Sequence, residues 1–172
     1  MSLSFSREHP PLIEQDKNLF TCWAATITSW VKAVSKSPAK WFLNTQQDAI
    51  DNWADKKSAK KGLNIKEITG LQLMAAGVGM DLKIFKPANK LTGAFAYEKL
   101  KLKGHLWLFY AGGNTGLSNE LGHAVVIYKV SNPFGKDCTV GAMDPWPGVG
   151  YREDWPLSFY QNANECVVGW PE

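Results

Sequence analysis

Phe20-Thr21-Cys22-Trp23-Ala24-Ala25 is the stretch on which the reading of this chain turns. Immediately before it, Glu14-Gln15-Asp16-Lys17-Asn18 is polar; immediately after it, the chain becomes apolar with helical spacing. Cys22 therefore stands where a helix begins. A helix start presents unpaired backbone N–H groups and the positive end of the helix dipole. That environment favours the thiolate, the nucleophilic form of cysteine. The same position also suits a small buried residue, since free cysteines are among the most buried side chains. The remainder of the chain decides between the two.

Downstream, Trp23, Ile27, Trp30, Val31 and Val34 recur at spacings of three and four, which predicts a helix over Cys22 to Val34 with one apolar stripe. Cys22 and Ala25 lie off the centre of that stripe, so the thiol can face a cleft. Ser37-Pro38 closes the element. Upstream, residues to about Gln15 read as an irregular arm. Thr45 with Asp48 three positions on resembles a capping box and opens a second helix, with Ile50, Trp53 and Ala54 as its buried face. A third helix is predicted over Ile65 to Ala76, with Asn64 and Glu67 as start signals and Gly77 as the stop. Met80 to Phe85 alternates as a half-buried strand, and Thr92 to Leu102 reads as a short helix.

From there the pattern changes. Leu106 to Tyr110 is a continuous apolar run, a Gly/Asn/Ser loop spans 112–119, and strands are predicted over Ala124 to Tyr128, Cys138 to Met143 and Glu165 to Trp170. These read as antiparallel. Helices before sheet predict an α+β fold in one domain over 1–172, with a helical half at about 12–102 and a sheet half at about 103–172.

Composition narrows the function class. The chain has 172 residues, a net charge of +3 and eight tryptophans. Basic residues are dispersed, which predicts no nucleic-acid partner; the densest run, Lys56 to Lys61, reads as the solvated end of a helix. No apolar run reaches the roughly 20 residues of a membrane span. Met1 to Arg7 lacks the charged and apolar regions of a signal peptide. The expectation is a soluble monomer with no membrane partner, reaching any target cell by a signal-independent route or after excision from a larger protein. Three cysteines, Cys22, Cys138 and Cys166, make neither a disulfide framework nor a zinc site, so no metal or other cofactor is expected, and Cys138 and Cys166 are read as buried free thiols.

A cysteine nucleophile needs a base to take its proton and return it to the leaving group. His9 lies in the arm before two prolines and reads as solvated. His105 and His123 each precede a strand. A histidine at a strand end is held by the sheet and can face a helix start across a cleft. Asp144 ends the next strand, in Met143-Asp144-Pro145-Trp146-Pro147-Gly148, where it can accept from the imidazole Nδ1–H and fix the tautomer. By itself it is a turn aspartate before proline.

Three segments in this order, Cys22-Trp23-Ala24-Ala25, Gly122-His123-Ala124-Val125-Val126-Ile127 and Met143-Asp144-Pro145-Trp146-Pro147-Gly148, resemble the papain-like cysteine peptidases. The resemblance is closest to their compact bacterial branch, the bacteriocin-processing peptidases and the cysteine-protease effectors of pathogens. It implies a helical half packed on an antiparallel sheet, with Cys22 as nucleophile, His123 as general base and acid, and Asp144 as orienter. It also implies an oxyanion donor upstream of the cysteine: Gln15, seven positions before it, or alternatively Asn18. Trp23 and Trp146, beside the nucleophile and the orienter, are taken as substrate-binding aromatics. The reading is a peptidase with a protein substrate and a thioester intermediate. By analogy it is a narrow-specificity bacterial effector or toxin with a possible cognate inhibitor protein. A deamidase or acyltransferase using the same residues, and a non-catalytic binding module, are the alternatives.

Overall fold

The structure is a computed structural model and describes residues 3–17, 20–34, 43–54, 68–117 and 122–172, with the side chains of 68 and 69 excepted. In chain order its elements are β1 (Ser4–Ser6), α1 (Cys22–Ala33), α2 (Gln46–Trp53), α3 (Ile68–Val78), β2 (Met80–Phe85), α4 (Gly93–Leu102), β3 (Leu106–Ala111), β4 (Gly122–Ser131), β5 (Thr139–Asp144), β6 (Gly150–Pro156), α5 (Leu157–Gln161) and β7 (Glu165–Pro171).

The strands form one seven-stranded antiparallel sheet in the order β2-β7-β3-β4-β5-β6, and β1 pairs with the far end of β4. β1 and β2 come from the first half of the chain, so the sheet draws on more than the predicted sheet half. Both faces are covered, and this explains the unbroken apolar run in β3. Trp107 and Phe109 point to one core with Trp23, Ile27 and Trp30 of α1, Ile50 of α2 and Met74 of α3. Leu106, Leu108 and Tyr110 point to the other core with Ala96 and Leu100 of α4 and Leu157 and Tyr160 of α5. A strand covered on both faces loses its alternation of apolar and polar residues.

α1 is buried more completely than a single stripe implies: Cys22 to Val31 are all buried. Its polar residues are satisfied within that burial. Thr26 Oγ1 donates to Cys22 O at 2.8 Å, Thr28 Oγ1 to Ala24 O at 2.8 Å, and Ser29 Oγ to Pro11 O at 2.6 Å. Trp30 Nε1 donates to His105 O at 2.7 Å, and Trp107 Nε1 to Thr26 Oγ1 at 2.9 Å. α2 begins as predicted: the Asp48 carboxylate accepts from the N–H groups of Asn44 and Thr45 at 2.8 and 2.9 Å, which holds it below the usual carboxylate range.

Three expectations are corrected. α1 ends at Ala33, before Ser37-Pro38. α3 runs past Gly77 to Val78 and stops where Gly79 takes φ +67°, a conformation that costs glycine little. The arm contains β1, and β6 and α5 lie in a segment for which no element was predicted; β6, at the sheet edge, shows mostly polar, part-exposed residues with no periodic signal. His9, read as solvated, is exposed, with its ring stacked on Tyr151 at 4.6 Å and edge-on to Tyr128 at 4.5 Å. Ser37, Pro38, Lys56 to Lys61, Asn64, Glu67 and Asn18 lie outside the described residues.

Candidate active site

Cys22 is the first residue of α1, and Thr21 occupies the cap position. Thr21 does not cap the helix; its Oγ1 accepts from Asp16 N at 3.3 Å, and no acidic residue lies in the first turn. No acidic side chain of that turn therefore neutralises the positive end of the helix beside the thiol. The Cys22 Sγ lies 3.8 Å from the Gly122 carbonyl oxygen, a contact between α1 and the start of β4.

β4 and β5 are antiparallel neighbours, so the first residue of one and the last of the other meet at one end of the sheet. Strand alternation puts His123 on the face of Val125 and Ile127, and Asp144 on the face of Val140 and Ala142, which is the same face. Their side chains meet: His123 Nε2 to Asp144 Oδ1 is 2.8 Å, with 12% and 4% of the two side chains exposed. The nitrogen engaged is Nε2, whereas the sequence reading assigned Nδ1. Nδ1 is thereby the ring nitrogen that Asp144 does not engage, and Cys22 is near enough to raise the His123 pKa.

Burial disfavours a charged His123, but the hydrogen bonds to Asp144 and Cys22 outweigh it and raise its pKa to about 9. Burial likewise opposes the Asp144 carboxylate, yet the bonds from His123, the Trp146 N–H and Arg152 hold it down at about 2. Trp146 N donates to Oδ1 at 3.0 Å and Arg152 Nε to Oδ2 at 2.8 Å. Tyr110 meets the His123 ring edge-on at 5.8 Å on one side and Trp146 at 6.4 Å on another.

Gln15 is buried, and its backbone N–H donates to Pro145 O at 2.8 Å, which ties the loop before Cys22 to the turn after Asp144. A second tie runs from Gly148 N to Glu14 Oε1 at 3.1 Å. Gln15 Oε1 is buried and meets no hydrogen-bond partner. The two tryptophans diverge. Trp146 is half exposed beside His123, while Trp23 is 1% exposed in the core and lines no open groove. His105 is occupied elsewhere: it is buried, its Nε2 lies 2.7 Å from Glu8 O, and burial lowers its pKa. Arg152 was missed in the sequence. It lies in a strand that gave no periodic signal, so nothing placed it opposite Asp144.

Against solved structures, the chain superposes on the peptidase domain of Streptococcus ComA, a bifunctional ABC transporter involved in quorum sensing, with a TM-score of 0.54 over 95% of this chain and 100% of that one, at 17% identity. The fold is papain-like. A double-glycine-motif protease from an AMS/PCAT transporter, solved with a leader peptide, gives a TM-score of 0.48 at 19% identity, covering 97% and 95% of the two chains. No protein-family model and no curated protein matches the sequence. At 17% identity what is shared with the ComA domain is the course of the chain. Among the described residues, no group of three or more His, Cys, Asp or Glu could hold a metal ion, and no helix is long and apolar enough to cross a membrane.

Proposed function

We propose that the chain is a cysteine peptidase acting through Cys22, His123 and Asp144. The observation that carries this reading is the convergence at one sheet end: a thiol at an uncapped helix start 3.8 Å from the Gly122 carbonyl oxygen, the imidazole of the next residue, His123, and a carboxylate 2.8 Å from its Nε2. Cys22 Sγ attacks a peptide carbonyl carbon while His123 Nδ1 holds the thiol proton. The carbonyl oxygen becomes negative and is met by the Cys22 backbone N–H and the Gln15 side-chain amide. Collapse breaks the C–N bond; the amine leaves with the proton from His123, and a thioester remains on Sγ. Water then attacks, giving its proton to His123, and the C–S bond breaks to release the acid and restore the thiol. Asp144 keeps the ring oriented throughout.

The substrate is a protein segment, and Trp146 is the exposed aromatic beside the reacting atoms. Further roles as an effector or toxin domain, with an inhibitor protein as partner, are proposed on the sequence resemblance. The test is mass spectrometry of a bacterial lysate incubated with the wild type and with Cys22→Ala. New peptide termini made only by the wild type support the reading. A mass increase of one dalton at glutamine without new termini indicates deamidation instead, and no difference between the samples overturns both.

A further inference from the structure

In the β5–β6 hairpin, Asp144 stands opposite Gly150 and Ala142 opposite Arg152. Arg152 is thus diagonal to Asp144 on the same face, and Ala142 leaves room for its side chain. Its guanidinium lies 4.5 Å from the centre of the Trp155 ring, and its Nε donates to Asp144 Oδ2. Oδ1 is already taken by His123 and by the Trp146 N–H. Both oxygens of a buried carboxylate are therefore fixed, and it has a cation besides the imidazole.

A buried carboxylate whose only counter-charge is an imidazolium stabilises that imidazolium. Resolution of a thioester needs the free base. We propose that Arg152 is a positioning residue that locks Asp144 and shares its negative charge, so that the carboxylate orients His123 yet holds the imidazolium less tightly than it would without that second cation. The use of this arrangement rests on the peptidase reading; the arrangement does not. Among the described residues, the other titratable groups facing the pair are Cys22 of α1, Tyr110 of β3 and Tyr160 of α5. Burial pushes both tyrosines above their ordinary range, so they stay neutral as His123 titrates.

The test follows the His123 Hε1 resonance against pH in a Cys22→Ala background, where no thiol titrates beside the ring. Arg152→Met removes the charge and keeps an apolar stem for Trp155; Arg152→Lys keeps the charge. The Met variant should raise the His123 midpoint by about one pH unit, and the Lys variant should leave it near the parent value. A purely structural role would loosen the His123–Asp144 bond and let the midpoint fall toward the ordinary histidine value. A fall, no change, or an equal rise with Lys overturns the proposal. If Arg152→Met does not fold, Arg152→Gln takes its place with the same outcomes. With Cys22 present, Arg152→Met should lower kcat about tenfold at pH 7 with KM little changed. A wild type that cuts nothing refutes the peptidase reading alone, since the resonance still reports on Arg152.

Discussion

At the scale of single residues, the three cysteines differ in what surrounds them. Cys138 and Cys166 are buried among apolar side chains, and burial pushes both thiols up, Cys166 to about 12. Cys22 has a helix start and an imidazole beside it. Mild alkylation of the folded protein followed by peptide mapping should therefore label Cys22 well ahead of the others; equal labelling would contradict the assignment. The histidines separate in the same way. His123→Ala should abolish turnover, whereas His105→Ala should leave it within about tenfold and instead cost roughly 1–3 kcal/mol of stability, because Glu8 O loses a buried partner. Gln15→Ala should lower kcat by about 100- to 1000-fold, the usual loss on removing one oxyanion donor, with KM near normal. An unchanged kcat would mean that the second donor is not this amide. Cys22, His123, Asp144 and Gln15 were singled out as residue types at strand, helix and loop boundaries, and what the fold adds is their placement at one sheet end. Which imidazole nitrogen meets Asp144 was not, because it depends on a side-chain rotation that spacing does not encode. Trp23 was misread because a residue next to a nucleophile can point either to the cleft or to the core, and full burial of α1 sends it to the core.

At the scale of elements, legibility followed burial. β2 matched its predicted bounds, and β3, β4, β5 and β7 were recognisable because buried strands are apolar runs bounded by turn residues. β6 was not, because Gly150-Tyr151-Arg152-Glu153-Asp154-Trp155-Pro156 sits at the sheet edge and is selected for its partners rather than for a core. The start of β4 offers an element-scale prediction. A Cβ on Gly122 would lie 1.7 Å from Phe109 Cζ, so the Phe109 ring occupies the space that a side chain would need. Gly122→Ala should displace that ring or the strand start, costing about 1–3 kcal/mol as overpacking does. It should also disturb the Cys22–Gly122 contact. Thermal unfolding measures the first effect and the Cys22 alkylation rate the second. Phe109→Leu in the Gly122→Ala background should recover part of both. A fully stable Gly122→Ala variant with normal alkylation would show that the bare α-carbon is not needed.

At the scale of the whole molecule, the His123–Asp144 pair links stability to pH. His123 is raised from 6.5 to about 9, so its contribution is complete below about pH 6.5 and is lost as pH rises through 9. Asp144 is lowered from 3.8 to about 2, so its contribution is complete above about pH 4 and is lost as pH falls through 2. The pair stabilises most between about pH 4 and 6.5. The melting temperature of the wild type minus that of His123→Ala should be largest there and shrink toward pH 9; a difference that grows across that interval would refute the assignment. The molecule-scale ties also have a consequence in time. Gln15 is bonded to Pro145, Glu14 to Gly148, Pro10 to Tyr151 and β1 to β4, all across more than a hundred residues. Such contacts carry a loop-closure cost and form late. On a ribosome, chains grow by roughly 5–20 residues per second. Cys22 thus emerges many seconds before His123, and before the hairpin that holds both Asp144 and the loop bearing Gln15. A nascent chain therefore carries Cys22 well before the residues proposed to act with it, and their arrangement can assemble only once synthesis has passed Arg152.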